Sequence, residues 1–196
     1  MISRFNIYLT GVGGQGIGML SEIILRAADY AGHVVKGVDT HGLAQRGGIV
    51  VSHLRLGDKV YSPLIPQADA DLVIALERHE ALRGIHQAAR DGGTVVYYNT
   101  VWQPLSVRLD EAETVTTGQI KRACDDRQIT LYEVVSDALP DTRMQNVAVL
   151  AVVDARHLIP ALTAEHYHAA MTDLMDGVRL EKNLNLLHRM RDRWVP

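Results

Sequence analysis

Gly11, Gly13 and Gly16 stand at G-x-G-x-x-G spacing, directly after a short apolar run and at the opening of a helical pattern. Glycine suits each of these places, because the turn is tight, a ligand can approach the backbone and the helix can pack close to the strand. Unpaired amides at the helix start suit a phosphate or a carboxylate. Asp39, 23 residues beyond Gly16, ends the next strand-like run, where an acid would bind a ribose hydroxyl or cap the following turn. Gly14 and the polar Gln15 leave the loop unusually open. Taken alone, it is either a purely structural tight turn or a seat for a nucleotide or a CoA-like ligand.

A second group of candidates lies in Thr40-His41-Gly42-Leu43-Ala44-Gln45-Arg46-Gly47-Gly48, which has neither helical nor strand period and reads as a loop. Arg46, between Gln45 and Gly47, would be exposed near backbone level, suited to bidentate binding of phosphate or carboxylate, or to an interchain salt bridge. His41 titrates near neutrality and could transfer a proton or serve as a hydrogen-bonded loop residue. Asn146 sits in an otherwise apolar helical run, where its amide needs a partner, from a ligand or from backbone. Three other features carry little signal. His166 and His168 are two apart in a helix and face different ways. His79-Glu80 lacks the second histidine of a zinc-protease helix. Cys124 follows Lys121 and Arg122, which could lower a thiol pKa, but a partly buried, inert thiol is expected.

The elements that must position these residues follow from the periodicity. Strands are expected at Phe5–Thr10, Val34–Asp39, Ile49–Leu56, Asp71–Leu76, Thr94–Tyr98 and Thr130–Val135. Ile17, Leu20, Ile24, Ala28 and Ala31 mark a helix ending at Gly32. Further helices are expected at Glu80–Arg90, ended by Asp91-Gly92-Gly93, and at Gln119–Arg127. Three more follow, at about 142–157, 163–171 and 173–191, on helical periodicity. Gly57-Asp58 is turn chemistry, after which Lys59–Tyr61 could run back as a hairpin. The order implies one α/β domain over residues 1–196: a Rossmann-like open sheet, mostly parallel with a hairpin, helices on both faces and a helical C-terminal segment. In the last helix Leu180, Leu184 and Leu187 share a face beside several basic residues, and Trp194 hints at an interface.

Composition narrows the function classes. The chain has 196 residues, 47% of them apolar, and a net charge of −3. That balance argues against a general nucleic-acid binder. No run of about 18 apolar residues suggests a membrane span, and Met1–Phe5 leads into a strand-like run without a signal-peptide core, so a cytoplasmic chain is expected. A single cysteine can form no internal disulfide and cannot hold an iron–sulfur cluster.

The phrases that accompany the glycine loop are more specific. Gly11-Val12-Gly13-Gly14-Gln15-Gly16, His41 through Gly48, Val51-Ser52-His53, Tyr61-Ser62-Pro63-Leu64-Ile65-Pro66 and Ala70 through Glu77 occur in order, with Met144-Gln145-Asn146 and Glu181-Lys182-Asn183-Leu184 later. Together they resemble the gamma-type subunit or domain of the 2-oxoacid:ferredoxin oxidoreductases. Within that family they are most similar to the beta subunits of the indolepyruvate branch. Residues 101–140 carry no clear match, so no family role transfers there.

The resemblance implies a subunit that is inactive alone. A larger partner would carry thiamine diphosphate and iron–sulfur clusters, electrons would pass to ferredoxin, and CoA would take the acyl group. This chain would cover the active site and help bind CoA. The amides of Gly13, Gly14 and Gly16 would hold the pyrophosphate or pantetheine, with Gln15 adding side-chain hydrogen bonds. An independent NAD- or FAD-binding oxidoreductase and a nucleotide-sensing module are the alternatives. The His41–Gly48 loop departs from the usual continuation of a dinucleotide fold.

Overall fold

The computed structural model describes residues 2–41, 48–102, 113–136, 139 and 141–195. Among these residues are six strands: β1 (Phe5–Val12), β2 (Val35–His41), β3 (Ile49–Leu56), β4 (Ala70–Ala75), β5 (Ala89–Tyr98) and β6 (Thr130–Val134). The helices are α1 (Ile17–Tyr30), α2 (Arg78–Gln87), α3 (Thr117–Asp125), α4 (Gln145–Ala155), α5 (Ala164–Leu174) and α6 (Gly177–Arg191), with a 3-10 turn at Thr142–Met144 before α4.

The strands form one open sheet in the order β2-β3-β1-β4-β5-β6. β1, β4, β5 and β6 pair in parallel, whereas β3 is antiparallel to both of its neighbours. Ile7 and Leu9 of β1 enter the core beneath α1, and Tyr8 enters the one on the opposite face. Burial on both faces explains the near-continuous apolar runs of β1 and β4. α1 buries Leu20, Ile23, Ile24, Ala27 and Ala28 between the sheet and α5. It stops at Gly32, whose φ of +76° lets His33 N–H reach Ala28 O and Gly32 N–H reach Asp29 O, the paired bonds of a left-handed helix end.

Three expectations about the elements need correction. The hairpin is β2–β3, so β3 separates β2 from β1, and the two strands joined by α1 are not neighbours. Lys59–Tyr61 does not return as a strand. Gly57 turns so tightly against the N-terminal segment that a Cβ would lie 2.6 Å from Ser3 O, and Asp58 and Lys59 donate to Ile2 O and Ser3 O. Asp91-Gly92-Gly93 is not a helix end. It lies inside β5, where the register on β4 jumps between Ala70 and Leu72, as a β-bulge absorbs extra residues.

Helices cover both faces. α2 and α3 overlie the smaller core, and α1, α4, α5 and α6 overlie the larger. α4 is buried all round, as a helix enclosed by sheet and other helices must be. Its Asp154 is fully buried 2.8 Å from Arg191 Nε of α6, and burial pushes its carboxyl pKa up despite that cation. Leu186, Leu187 and Met190 of α6 join the core. Trp194 is half-buried, edge-on to Tyr132 and near the Arg156 guanidinium. It therefore packs on its own chain, against the expectation of an exposed interface residue.

Candidate functional site

β1 delivers the chain to α1 on one face of the sheet, and the neighbouring parallel strand β4 delivers it to α2 on the other. Between the carboxyl ends of such strands lies the crevice where open α/β sheets usually take a ligand. Here Gln15 fills it. Its side chain is fully buried, Oε1 accepts from Val12 N–H at 2.7 Å, and Nε2 donates to Leu76 O at 2.9 Å. Gly11 makes room, since a Cβ there would meet Gln15 Oε1 at 3.0 Å. The expected hydrogen bonds from Gln15 to a ligand are thus replaced by bonds that staple the loop to β4.

The remaining loop amides divide. Gly13 N–H donates to Gly48 O at 2.8 Å, so it ties the loop to the start of β3 instead of facing a ligand. Gly14 and Gly16 have φ of +103° and +85°, angles that favour glycine. Gly16 caps α1 without any side-chain hydrogen bond. The first-turn amides of Ile17, Gly18 and Met19 have no acceptor within the helix.

A cleft of about 740 Å³ opens at this helix start. It is lined by Gly14, Gly16 and Met19 from the loop and α1, by Asp141, Arg143, Met144 and Asn146 around the start of α4, and by Met175, Val178, Arg179, Lys182 and Asn183 before and along α6. Asn146 is 6% exposed. Its Nδ2 donates to Gly16 O at 3.2 Å and its Oδ1 accepts from Val147 N–H. Backbone is thus its partner, and a Cβ on Gly16 would lie 2.6 Å from Nδ2. The amide fixes the αL turn at the helix cap.

Three cations face a single carboxylate in this cleft, although the chain as a whole carries −3. Arg143 pairs with Asp141, Nη2 to Oδ2 at 2.6 Å, and the guanidinium and Arg143 N–H hold the Asp141 carboxyl down to about 2. Arg179 and Lys182 make no ion pair among the described residues. An exposed cation pair beside first-turn helix amides that have no acceptor among the described residues is the chemistry of an anion seat. Arg179 and Lys182 are among the basic residues beside the leucine face of the last helix, and Arg143 is a site residue that the sequence motifs do not single out. The clue was its position just before Met144-Gln145-Asn146.

The other expected residues scatter. Asp39 accepts a bond from Ser21 Oγ at 3.2 Å, and β2 lies two strand spacings, roughly 10 Å, from β1. It ties α1 to β2 and is displaced from the place of a ribose-binding acid. His41 ends β2, level through Val50 with Gly11. Gln45, Arg46 and Gly47 lie outside the described residues. Cys124 is buried, and burial pushes its thiol up to about 11, so Lys121 and Arg122 do not activate it.

On the other face, beside the same strand ends, sits a polar cluster that the sequence did not announce. Glu77 caps α2, accepting from Glu80 N–H, and its Oε2 meets His79 Nδ1 at 3.0 Å. Val115 N–H donates to His79 Nε2, which places the ring proton on Nδ1. Glu80 is fully buried, accepts from Thr10 Oγ1 at 2.6 Å and lies 3.2 Å from Arg83. Burial raises its carboxyl pKa. These bonds join β1, the start of α2 and the segment before α3.

The sequence profile of the pyruvate ferredoxin/flavodoxin oxidoreductases matches residues 6–192. The chain belongs to that family. It is 36% identical to indolepyruvate oxidoreductase subunit IorB from Archaeoglobus fulgidus, over 94% of this chain and 92% of that one. The fold is shared with the gamma subunit of the keto/oxoacid ferredoxin oxidoreductase of Geobacter sulfurreducens PCA, at a TM-score of 0.66 and 18% identity, covering 97% and 98% of the two chains. It is also shared with the 2-oxoglutarate:ferredoxin oxidoreductase of Magnetococcus marinus, solved with 2-oxoglutarate, coenzyme A and succinyl-CoA bound. There the TM-score is 0.72 at 16% identity, and 99% of this chain overlies 31% of that longer one. Among the described residues no helix is long and apolar enough to cross a membrane.

Proposed function

We propose that residues 1–196 act as one domain, the smaller subunit of a thiamine diphosphate- and iron–sulfur-dependent 2-oxoacid:ferredoxin oxidoreductase. Its substrate is indolepyruvate or another aryl 2-oxoacid, it is catalytically silent alone, and it works in the cytoplasm. Its own task is to cover the active site and hold part of CoA. The observation that carries this reading is the cation-lined cleft at the uncapped start of α1.

The residues fit CoA. The amides of Ile17, Gly18 and Met19, with Arg179, Lys182 and Arg143, offer donors for its phosphates, while Met19, Met144, Met175 and Val178 give an apolar wall for the pantetheine arm. Gln45 and Arg46, outside the described residues, are proposed as further phosphate donors on their chemistry alone. They do not fit an iron–sulfur cluster: the one cysteine is buried and holds its proton. Held by the larger subunit, thiamine diphosphate supplies decarboxylation and the clusters carry electrons to ferredoxin, while CoA supplies the thiol that takes the acyl group. This chain orients that thiol carrier and excludes water from the site it covers. The filled crevice and the displaced Asp39 argue against an independent NAD or FAD enzyme.

Anaerobic purification of the tagged chain from its host tests the assembly. A brown complex with a larger chain, oxidising aryl 2-oxoacids in a CoA-dependent way, is expected. A colourless lone protein that binds nicotinamide or flavin nucleotides would overturn the reading.

A further inference from the structure

Among the described residues, β2 and β3 are covered unevenly. α1 packs on one side of them, whereas α2 on the other side overlies β1, β4 and β5, and α3 overlies β6. Strand alternation places Val38, Thr40, Ile49 and Val51 on that second side. Val38 and Val51 are half-buried, and Thr40 and Ile49 are exposed.

Beside this ribbon runs the Tyr61–Pro66 phrase, and buried groups hold it in place. Arg55 is 8% exposed, and its Nη1 donates to both Ser62 O and Leu64 O, at 2.9 and 3.0 Å, while Nε donates to Asn6 Oδ1. Ile65 N–H donates to His53 Nδ1 at 3.2 Å, and the Ile65 side chain is buried. Pro63 and Pro66 fix two φ angles more. A buried guanidinium is costly unless its donors are used, and here Nη1 is spent on the backbone of a surface segment. The segment so fixed presents Tyr61 at 89% exposure and Leu64 at 55%. Tyr61 is the most exposed large apolar side chain among the described residues. A large ring on an immobilised backbone suits an interface anchor, because little freedom remains to be lost on binding.

The occupant follows from three observations. The Archaeoglobus relative is named a subunit. In the Magnetococcus enzyme the matching unit makes up 31% of a longer chain, so the same fold is joined there to further protein. A second copy fits poorly, since a twofold contact needs the patch to receive itself. The neighbouring hollow, about 410 Å³, is lined by Tyr8, His53, Ile65, Pro66, Gln67, Gln87 and Ala88, so an inserted ring would have to desolvate the two glutamine amides.

We propose that Tyr61, Leu64 and the open face of β2–β3 form the surface on which the larger subunit seats, Tyr61 entering an apolar pocket of that subunit. This rests on the subunit reading above but not on CoA binding. The test measures association of the two full-length chains under anaerobic conditions, comparing wild type, a Tyr61→Ala/Leu64→Ala double variant and Val135→Ala, a control at another exposed apolar residue. The double variant is expected to bind at least tenfold more weakly, with the control unchanged and the melting temperature of the chain alone unaltered. Wild-type affinity in the double variant overturns this surface while leaving the subunit reading intact. A homodimer of the wild-type chain that the double variant abolishes assigns the patch to a second copy and also overturns it. If wild type binds no larger chain, the subunit reading falls and this proposal falls with it.

Discussion

Gln15 separates a ligand-facing loop from one that is held shut. Gln15→Met keeps the length of the side chain and removes both hydrogen bonds without adding charge. Two buried partners would then be orphaned: Val12 N–H, now bonded at 2.7 Å, and Leu76 O, now bonded at 2.9 Å. An unsatisfied buried group costs about 1–3 kcal/mol, and relaxation recovers part of that, so a loss of roughly 2–4 kcal/mol is expected. For a domain of this size the loss lowers the melting temperature by roughly 5–15 °C. Denaturant unfolding should show a lower midpoint at unchanged m-value, since the surface exposed on unfolding is the same. A variant within about 0.5 kcal/mol of wild type, the range of ordinary surface changes, would mean that the Gln15 amide is not holding the loop. Weakened CoA binding at unchanged stability would return Gln15 to the ligand-facing role the sequence suggests.

Gly16→Ala should destabilise the chain, because φ is +85° and the new Cβ would lie 2.6 Å from Asn146 Nδ2. Adding Asn146→Ala should restore part of the loss, the clash but not the backbone strain, and a double-mutant cycle on urea midpoints with no coupling would contradict that contact. Glu80 carries a pKa raised by burial, so the folded state holds its proton more readily than the unfolded one, and the stability this contributes is lost as pH rises through the folded value. Glu80→Gln should therefore melt higher than wild type at pH 8, with the gap closing towards pH 4. A gap independent of pH would show that the carboxyl is not strained by burial.

The general fold was legible because both sheet faces are buried, which writes β1 and β4 as apolar runs, and because Gly32 ends α1 in a left-handed conformation that glycine adopts without strain. Strand order was less so. Nothing in Val35–His41 or Ile49–Leu56 says that β3 inserts between β1 and β2. That choice is made by pairing partners far apart in sequence, and a local pattern carries no record of it. The site divided in the same way. Glycine spacing marked the loop, but whether the Gln15 amide turns to a ligand or into the crevice depends on Leu76 O, which β4 brings 61 residues along the chain. Arg179 and Lys182 read only as basic residues beside the leucine face of the last helix, and it is the packing of α6 on α4 and α5 that brings them to the cleft shared with Gly14 and Gly16. Trp194 was misjudged for a related reason: its ring partners, Tyr132 and Arg156, come from β6 and the end of α4.

The cleft itself is tested most directly by its free cations. In the assembled complex, Arg179→Ala/Lys182→Ala removes two exposed charges. With about 0.5–1 kcal/mol expected for each solvent-screened phosphate contact, the apparent KM for CoA should rise roughly five- to thirtyfold, with thiamine diphosphate dependence and the 2-oxoacid KM unchanged. An unchanged CoA KM would contradict the placement of CoA phosphates in this cleft.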